Sequence, residues 1–212
     1  MFVVEILLLA YFFYVVGYTL TFALGGYHYK NPLKIDPTSS CNFAVLIPSY
    51  KEDSVIIDVA RQALNQKYSR ANFQVFVIAD SLQEETLRQL RSLAVEVIEV
   101  FFENSTKVKS LNHALQQIPD GCYDYAVILD ADNVMEADFL AKMNSVIAQH
   151  GYRAIQGQRK PKNRNNNLAF LDGVSEAINN HIYRQGTVAM GMSSSISGSG
   201  IVFHYAMLKE KL

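Results

Sequence analysis

Cysteine is scarce in this sequence: Cys41 and Cys122 stand alone among 212 residues, and neither has a His or Cys at metal-ligand spacing. That excludes a disulfide framework and a structural zinc site, and it fits a reducing compartment. Net charge is nearly absent as well, at −1 with 18% charged residues. No basic excess offers a footprint for nucleic acid, and no acidic tail signals a disordered segment. GxGxxG does not follow the first apolar run after the N-terminal segment, and GxxxxGK[ST] occurs nowhere. A dinucleotide site and a P-loop therefore lack their phosphate-cradling glycines. There is no internal repeat.

What is present is apolar. Half of the residues are hydrophobic, enough for one large domain or a domain with an appendage. The first 24, "MFVVEILLLAYFFYVVGYTLTFAL", carry a single charge, Glu5. As a helix this stretch would reach roughly 36 Å, against about 30 Å for a bilayer core. A signal peptide would want a basic start and a shorter apolar run. A soluble buried helix would normally show a polar face. A transmembrane anchor over residues 1–25 is the expectation. Lys30 and Lys34 follow it and nothing basic precedes it, which places the remainder on the cytoplasmic side by the positive-inside tendency.

Residues 26–41, with their Gly, Pro and Ser, read as a linker, and "PKNRNNN" at 161–167 as a polar surface loop. In between, short apolar runs at 43–47, 73–79, 95–100 and 125–129 alternate with helical patterns at 54–66, 84–93, 105–118 and 136–150. This alternation predicts a largely parallel sheet covered on both faces, with its ligand site beyond the carboxyl ends of the strands. Glu52, Asp80, Asp130 and Asp132 all fall just after such runs, so one rim would collect four carboxylates.

Asp130 and Asp132 close the run "YAVIL" with only Ala131 between them. If the chain stays extended there, both carboxylates point to one side and suit a hard cation, Mg²⁺ or Mn²⁺. The plainer alternative is helix capping, for which Asn133 with Glu136 already forms a plausible pair. Asp80 and Ser81 would similarly cap the helix near Glu84.

"FAVLIPSYKED", "VFVIADS", "TKVKSLNHAL" and "AVILDADN", in that order, resemble the nucleotide-binding part of family 2 glycosyltransferases, the membrane-attached relatives of cellulose, chitin and hyaluronan synthases. The resemblance runs from about Phe43 to about Leu208. It implies a GT-A fold, α/β with a mainly parallel sheet, over residues 42–212, and transfer of a sugar from a UDP-sugar donor with inversion to a saccharide or lipid acceptor. By resemblance Asp132 binds the metal on the donor diphosphate, with Asp130 facing the ribose and sugar and sharing the metal. Asp80 accepts from the uracil ring, Pro48, Ser49 and Tyr50 pack on the base, and Glu52 lies near the nucleotide. Lys109 matches a lysine near the nucleotide. Gly198, Ser199 and Gly200, in "SISGSGIVF", match the acceptor side, and "QGQRK" at 156–160 resembles another late strand. His113, His181 and His204 read as structural.

An inverting transfer needs a base for the acceptor hydroxyl. The family places it in an acidic motif beyond the glycine-rich strand, and the chain reaches Leu212 before one. Asp172 and Glu176 precede that strand, and Glu210 sits in a charged helix end. The chain thus reads as the donor-binding half of a longer transferase. A non-catalytic nucleotide-sugar-binding membrane module is an alternative. A sugar-nucleotide pyrophosphorylase is another, but "PSYKED" lacks the glycine-rich basic loop it needs.

Overall fold

The protein is described here by a computed structural model covering residues 2–30, 39–161 and 166–212. Lys34, most of the expected linker and the centre of the asparagine-rich loop lie outside these residues. The chain divides into two compact units, Met1–Pro32 with Gln158–Ile196 and Leu33–Gly157 with Ser197–Leu212.

The second unit is built on a six-stranded sheet. Its strands are β1 (Phe43–Tyr50), β2 (Phe73–Asp80), β3 (Glu96–Val100), β4 (Tyr125–Ile128), β5 (Ala154–Gln156) and β6 (Ile201–His204), in the order β3-β2-β1-β4-β6-β5. The first four are mutually parallel, whereas β6 runs antiparallel to both β4 and β5. Both faces of the centre are covered, which is why β1 and β4 read as continuous apolar runs and not as alternating ones.

Two cores result. Phe43, Val45 and Ile47 point to one face, against α2 (Ile56–Leu64), Leu90 of α3 (Glu84–Arg91) and α5 (Phe139–His150). Ala44 and Leu46 point to the other, against α4 (Lys107–Gln117) and α8 (Tyr205–Lys211). The expected helices are all present, each slightly shorter than its periodic pattern. The largest shift of a helix start is in α5, which begins at Phe139 and not near Glu136. Neither Asn133 nor Glu136 caps it. Gln66, reaching over from the end of α2, accepts the Leu140 N–H (3.2 Å) and donates to the Glu136 carbonyl (3.0 Å). A cap supplied from 74 residues away replaces the local one.

The first unit is helical. It holds α1 (Phe2–Tyr27), α6 (Asn167–Asn179), a π-helical turn pair (Asn180–Gly186) and the short α7 (Thr187–Ala189). Helix α1 is long and apolar enough to cross a membrane, and its most apolar stretch is wholly exposed. Only its last turns are covered. Phe22, Gly25 and Gly26 are buried where the π-helical segment crosses them. Gly186 lies directly on the Phe22 carbonyl, and a side chain at Gly26 would approach the His181 ring to 2.6 Å. His181 donates from Nε2 to the Ala23 carbonyl (2.9 Å), and its ring meets Tyr27 edge-on at 4.8 Å.

Candidate nucleotide-sugar site

The carboxyl ends of β1, β2 and β4 carry the expected residues. Tyr50 and Asp80 are register partners, each the last residue of its strand. The next residue in both strands, Lys51 and Ser81, has φ of 56°. The left-handed region is uncommon outside glycine and concentrates where function holds the backbone. Here the Lys51 N–H donates to the Asp80 carbonyl (3.1 Å), which ties the two turns together.

Asp80 is almost fully buried, at 1% exposure. It does not cap α3, whose N-cap is Gln83 without a side-chain bond. Its carboxylate instead accepts from the Ser81 hydroxyl (3.0 Å) and from Ser105, in the loop before α4. By strand alternation Pro48, Tyr50 and Asp80 share the α4 face. Tyr50 is 50% exposed, with the Lys51 ammonium 4.9 Å from its ring centre. Ser49 points to the opposite face, buried and with its hydroxyl unpartnered. Glu52 is exposed, and its carbonyl accepts the Val55 and Ile56 N–H groups that open α2.

The chain does not stay extended through the paired acids. β4 ends at Ile128, and residues 130–133 form a turn closed by the Asn133 N–H on the Asp130 carbonyl (3.1 Å). The same-side argument from strand geometry is therefore replaced by a turn that presents both acids. The turn rests on the glycine-rich loop. Ser199, 1% exposed, accepts at its hydroxyl from the Asp130 N–H (2.9 Å) and from Asn133 Nδ2 (2.8 Å). Gly200, with φ of 68°, donates its N–H to the Ile128 carbonyl (2.9 Å), and only glycine takes that conformation without strain. Gln156 clamps the loop by donating to the Ser199 carbonyl (3.0 Å) and accepting the Ser197 N–H (2.8 Å). Gly198, Ser199 and Gly200 are thus brought directly beneath Asp130.

Lys107, not singled out in the sequence, completes this group. Its ammonium donates to the Asp130 carboxylate and to the Gly198 carbonyl. Lys109 turns away, and its ammonium donates to the Asn104 carbonyl (2.7 Å). Helical spacing held the signal. Residues 107, 111, 114, 115 and 118 share one stripe, and Leu111, Ala114, Leu115 and Ile118 are its buried part. Lys107 extends that stripe to the strand ends, whereas two residues on, Lys109 faces the other way.

A metal fits this turn in part. The Asp132 carboxylate, separated from Asp130 by Ala131 alone, is exposed and has no partner among the described residues. Two hard oxygen donors suit a cation that takes its other ligands from phosphate and water. No group of three or more His, Cys, Asp or Glu side chains that could hold a metal exists among the described residues. Of the remaining acids, Glu210 pairs with Lys211 in α8 (2.7 Å), while Asp172 and Glu176 belong to the other unit.

A mainly parallel sheet with an antiparallel return strand beside a buried acid and an Asp-x-Asp turn defines a GT-A nucleotide-sugar transferase fold. A mannosyltransferase from Pyrobaculum calidifontis, solved with GDP-Man and Mn²⁺, has this fold with a TM-score of 0.69 at 20% identity, over 95% of this chain and 56% of that one. S. aureus TarS residues 1–349, solved with UDP, gives 0.60 at 17% identity over 80% and 48%. The chain belongs to glycosyltransferase family 2: residues 41–212 match the family model described as "Glycosyltransferase like family 2". Among curated relatives, glucans biosynthesis glucosyltransferase H of Rhodopseudomonas palustris is 32% identical over 122 residues, half of this chain and 16% of that protein. A beta-monoglucosyldiacylglycerol synthase of Trichormus variabilis is 22% identical over 160 residues, 74% of this chain and 34% of that protein. The chain thus matches between 16% and 34% of the length of these relatives.

Proposed function

We propose that this chain forms the donor side of an inverting glycosyltransferase that moves a hexose from a UDP-sugar to a saccharide or lipid acceptor. The observation that carries this reading is the Asp130–Asp132 turn seated on Ser199 and braced by Lys107, at the strand ends beside the buried Asp80. Asp80, held by two hydroxyls, is oriented to accept the uracil N–H, and the exposed Tyr50 ring offers a face to the base. Lys107 places its ammonium on Asp130 and lies within reach of a diphosphate. Asp132 and Asp130 would hold Mg²⁺ or Mn²⁺, which when bound supplies charge neutralisation for the leaving diphosphate. In the transfer the acceptor oxygen bonds the anomeric carbon, the bond to the diphosphate oxygen breaks, and the acceptor proton goes to a base. Gly198 and Gly200 leave room for the acceptor on the far side of the turn. We assign residues 1–25 as a membrane anchor, 26–41 as a linker and 42–212 as the transferase domain on the cytoplasmic side. The names of two relatives, a glucosyltransferase of glucan biosynthesis and a glucosyldiacylglycerol synthase, support the transfer of a hexose.

Calorimetric titration of UDP into the detergent-solubilised chain, with and without Mn²⁺, tests the reading. Metal-dependent binding that an Asp132→Asn variant of unchanged circular dichroism loses at least tenfold, about 1.4 kcal/mol, is expected. Folded protein that binds UDP equally well without metal would overturn it.

A further inference from the structure

Helix α6 has no buried residue, although it is rich in large apolar side chains. Leu168, Phe170, Leu171, Val174 and Ile178 are each between 41% and 79% exposed. At about 100° per residue, Phe170, Leu171, Val174 and Ile178 fall within one arc of roughly 100°, and Asp172 and Glu176 fall on the opposite side. The apolar exposure continues through Tyr183, Val188 and Met190. The polar side is satisfied internally: Arg184 donates to Glu176 (2.6 Å) and to Asn180, whose amide donates to the Arg159 carbonyl (3.1 Å). This is an amphipathic face without a partner in its own unit.

What covers it is indicated by where the segment attaches. The π-helical turns that continue α6 are fixed to the last turns of α1, through His181 on the Ala23 carbonyl, the His181–Tyr27 ring contact and the fit of Gly186 on Phe22. Ala23 lies only about 6 Å from the end of α1 at about 1.5 Å per residue. Amphipathic helices that lie in a bilayer surface sit about 5–10 Å into the headgroup boundary. Resting on the reading of α1 as a membrane anchor, we infer that residues 167–190 lie in the plane of the bilayer surface, with Phe170, Leu171, Val174 and Ile178 among the acyl chains. The polar face carries Asp172 and Glu176 and no lysine, so apolar insertion drives the contact and anionic lipid is not needed.

The chain contains no tryptophan, so one introduced indole reports alone. The full chain is reconstituted in phosphatidylcholine vesicles brominated near the headgroup end of the acyl chains, with Phe170→Trp on the apolar face and Asp172→Trp on the polar one. Phe13→Trp, in lipid brominated near the chain ends, reports the anchor. Expected are loss of most emission at positions 170 and 13 and little loss at 172. Quenching at 13 without quenching at 170 overturns the inference and leaves the anchor standing, the result if a second copy or another protein covers the face. Equal quenching at 170 and 172 also overturns it, because the helix would then have no sidedness. No quenching at 13 removes the anchor, and this inference falls with it. Val174→Trp repeats the reading should Phe170→Trp misfold.

Discussion

Lys107 bridges two segments that the chain separates widely, the Asp130 carboxylate 23 residues after it and the Gly198 carbonyl 91 residues after it. One ammonium thus sets the spacing between the acidic turn and the glycine loop. Lys107→Ala is expected to weaken UDP binding by about 1.5–3 kcal/mol, the range for a charge-assisted bond. Lys109→Ala is expected to leave it within about twofold, because surface substitutions away from such features act weakly. Titration calorimetry on both variants checks the pair.

Ser105 is the second donor to the buried Asp80 carboxylate. Ser105→Ala removes it while burying the acceptor as before, and it is expected to cost about 1–3 kcal/mol of stability. Urea unfolding followed by circular dichroism measures the cost. The variant should also lose UDP affinity, since Asp80 is then held by Ser81 alone among the side chains described here.

Gly186 sits against the Phe22 backbone without room for a side chain. Gly186→Ala is expected to loosen the junction of α1 with the π-helical turns, at about 1–3 kcal/mol by the cost of overpacking. Faster hydrogen exchange confined to residues 180–186 would register this. The same exchange rate as the parent chain would show that the contact carries no strain.

Burial, and after it the neighbouring Cys41, pushes the Tyr68 hydroxyl from the ordinary 10.0 up to about 12. The folded chain therefore holds this proton more tightly than the unfolded chain does. Its contribution to stability is complete below pH 10 and is lost as pH rises toward 12. Tyr205, raised mainly by burial to about 12, acts in the same direction. Tyr68→Phe should flatten the fall in denaturation midpoint over this window. The Tyr68 hydroxyl donates to the Cys41 carbonyl (2.8 Å), and losing that bond at neutral pH should cost about 0.5–1.5 kcal/mol.

The centre of the sheet was legible in the sequence because β1, β2 and β4 are buried on both faces and read as apolar runs. The edge strand β3 instead alternates exposed Glu96 and Glu99 with buried Ile98 and Val100. The runs at 43–47, 73–79, 95–100 and 125–129 each end within three residues of a strand end. The rim acids followed from the same logic. What was not legible depends on partners distant in sequence. The start of α5 is set by Gln66, the seat of the acidic turn by Ser199, and the bracing of Asp130 by Lys107. Each needs the fold before its partner is known. The helices at 167–189 escaped although Phe170, Leu171, Val174 and Ile178 recur at helical spacing: α6 has no buried residue, so that stripe joins no core of its own unit.

The return strand β6 has a consequence for how the protein is made. Strands β1 to β4 come from one continuous stretch, residues 43–128, whereas β6 comes from residues 201–204. On a ribosome the hydrogen-bonding edge of β4 is therefore presented long before the strand that closes it has been synthesised. At about 5–20 residues per second that delay is several seconds, during which a nascent chain carries an open, apolar edge. The helices of residues 167–189 emerge within that same interval. If they reach a lipid surface first, the growing chain is held away from its neighbours while its last strand arrives.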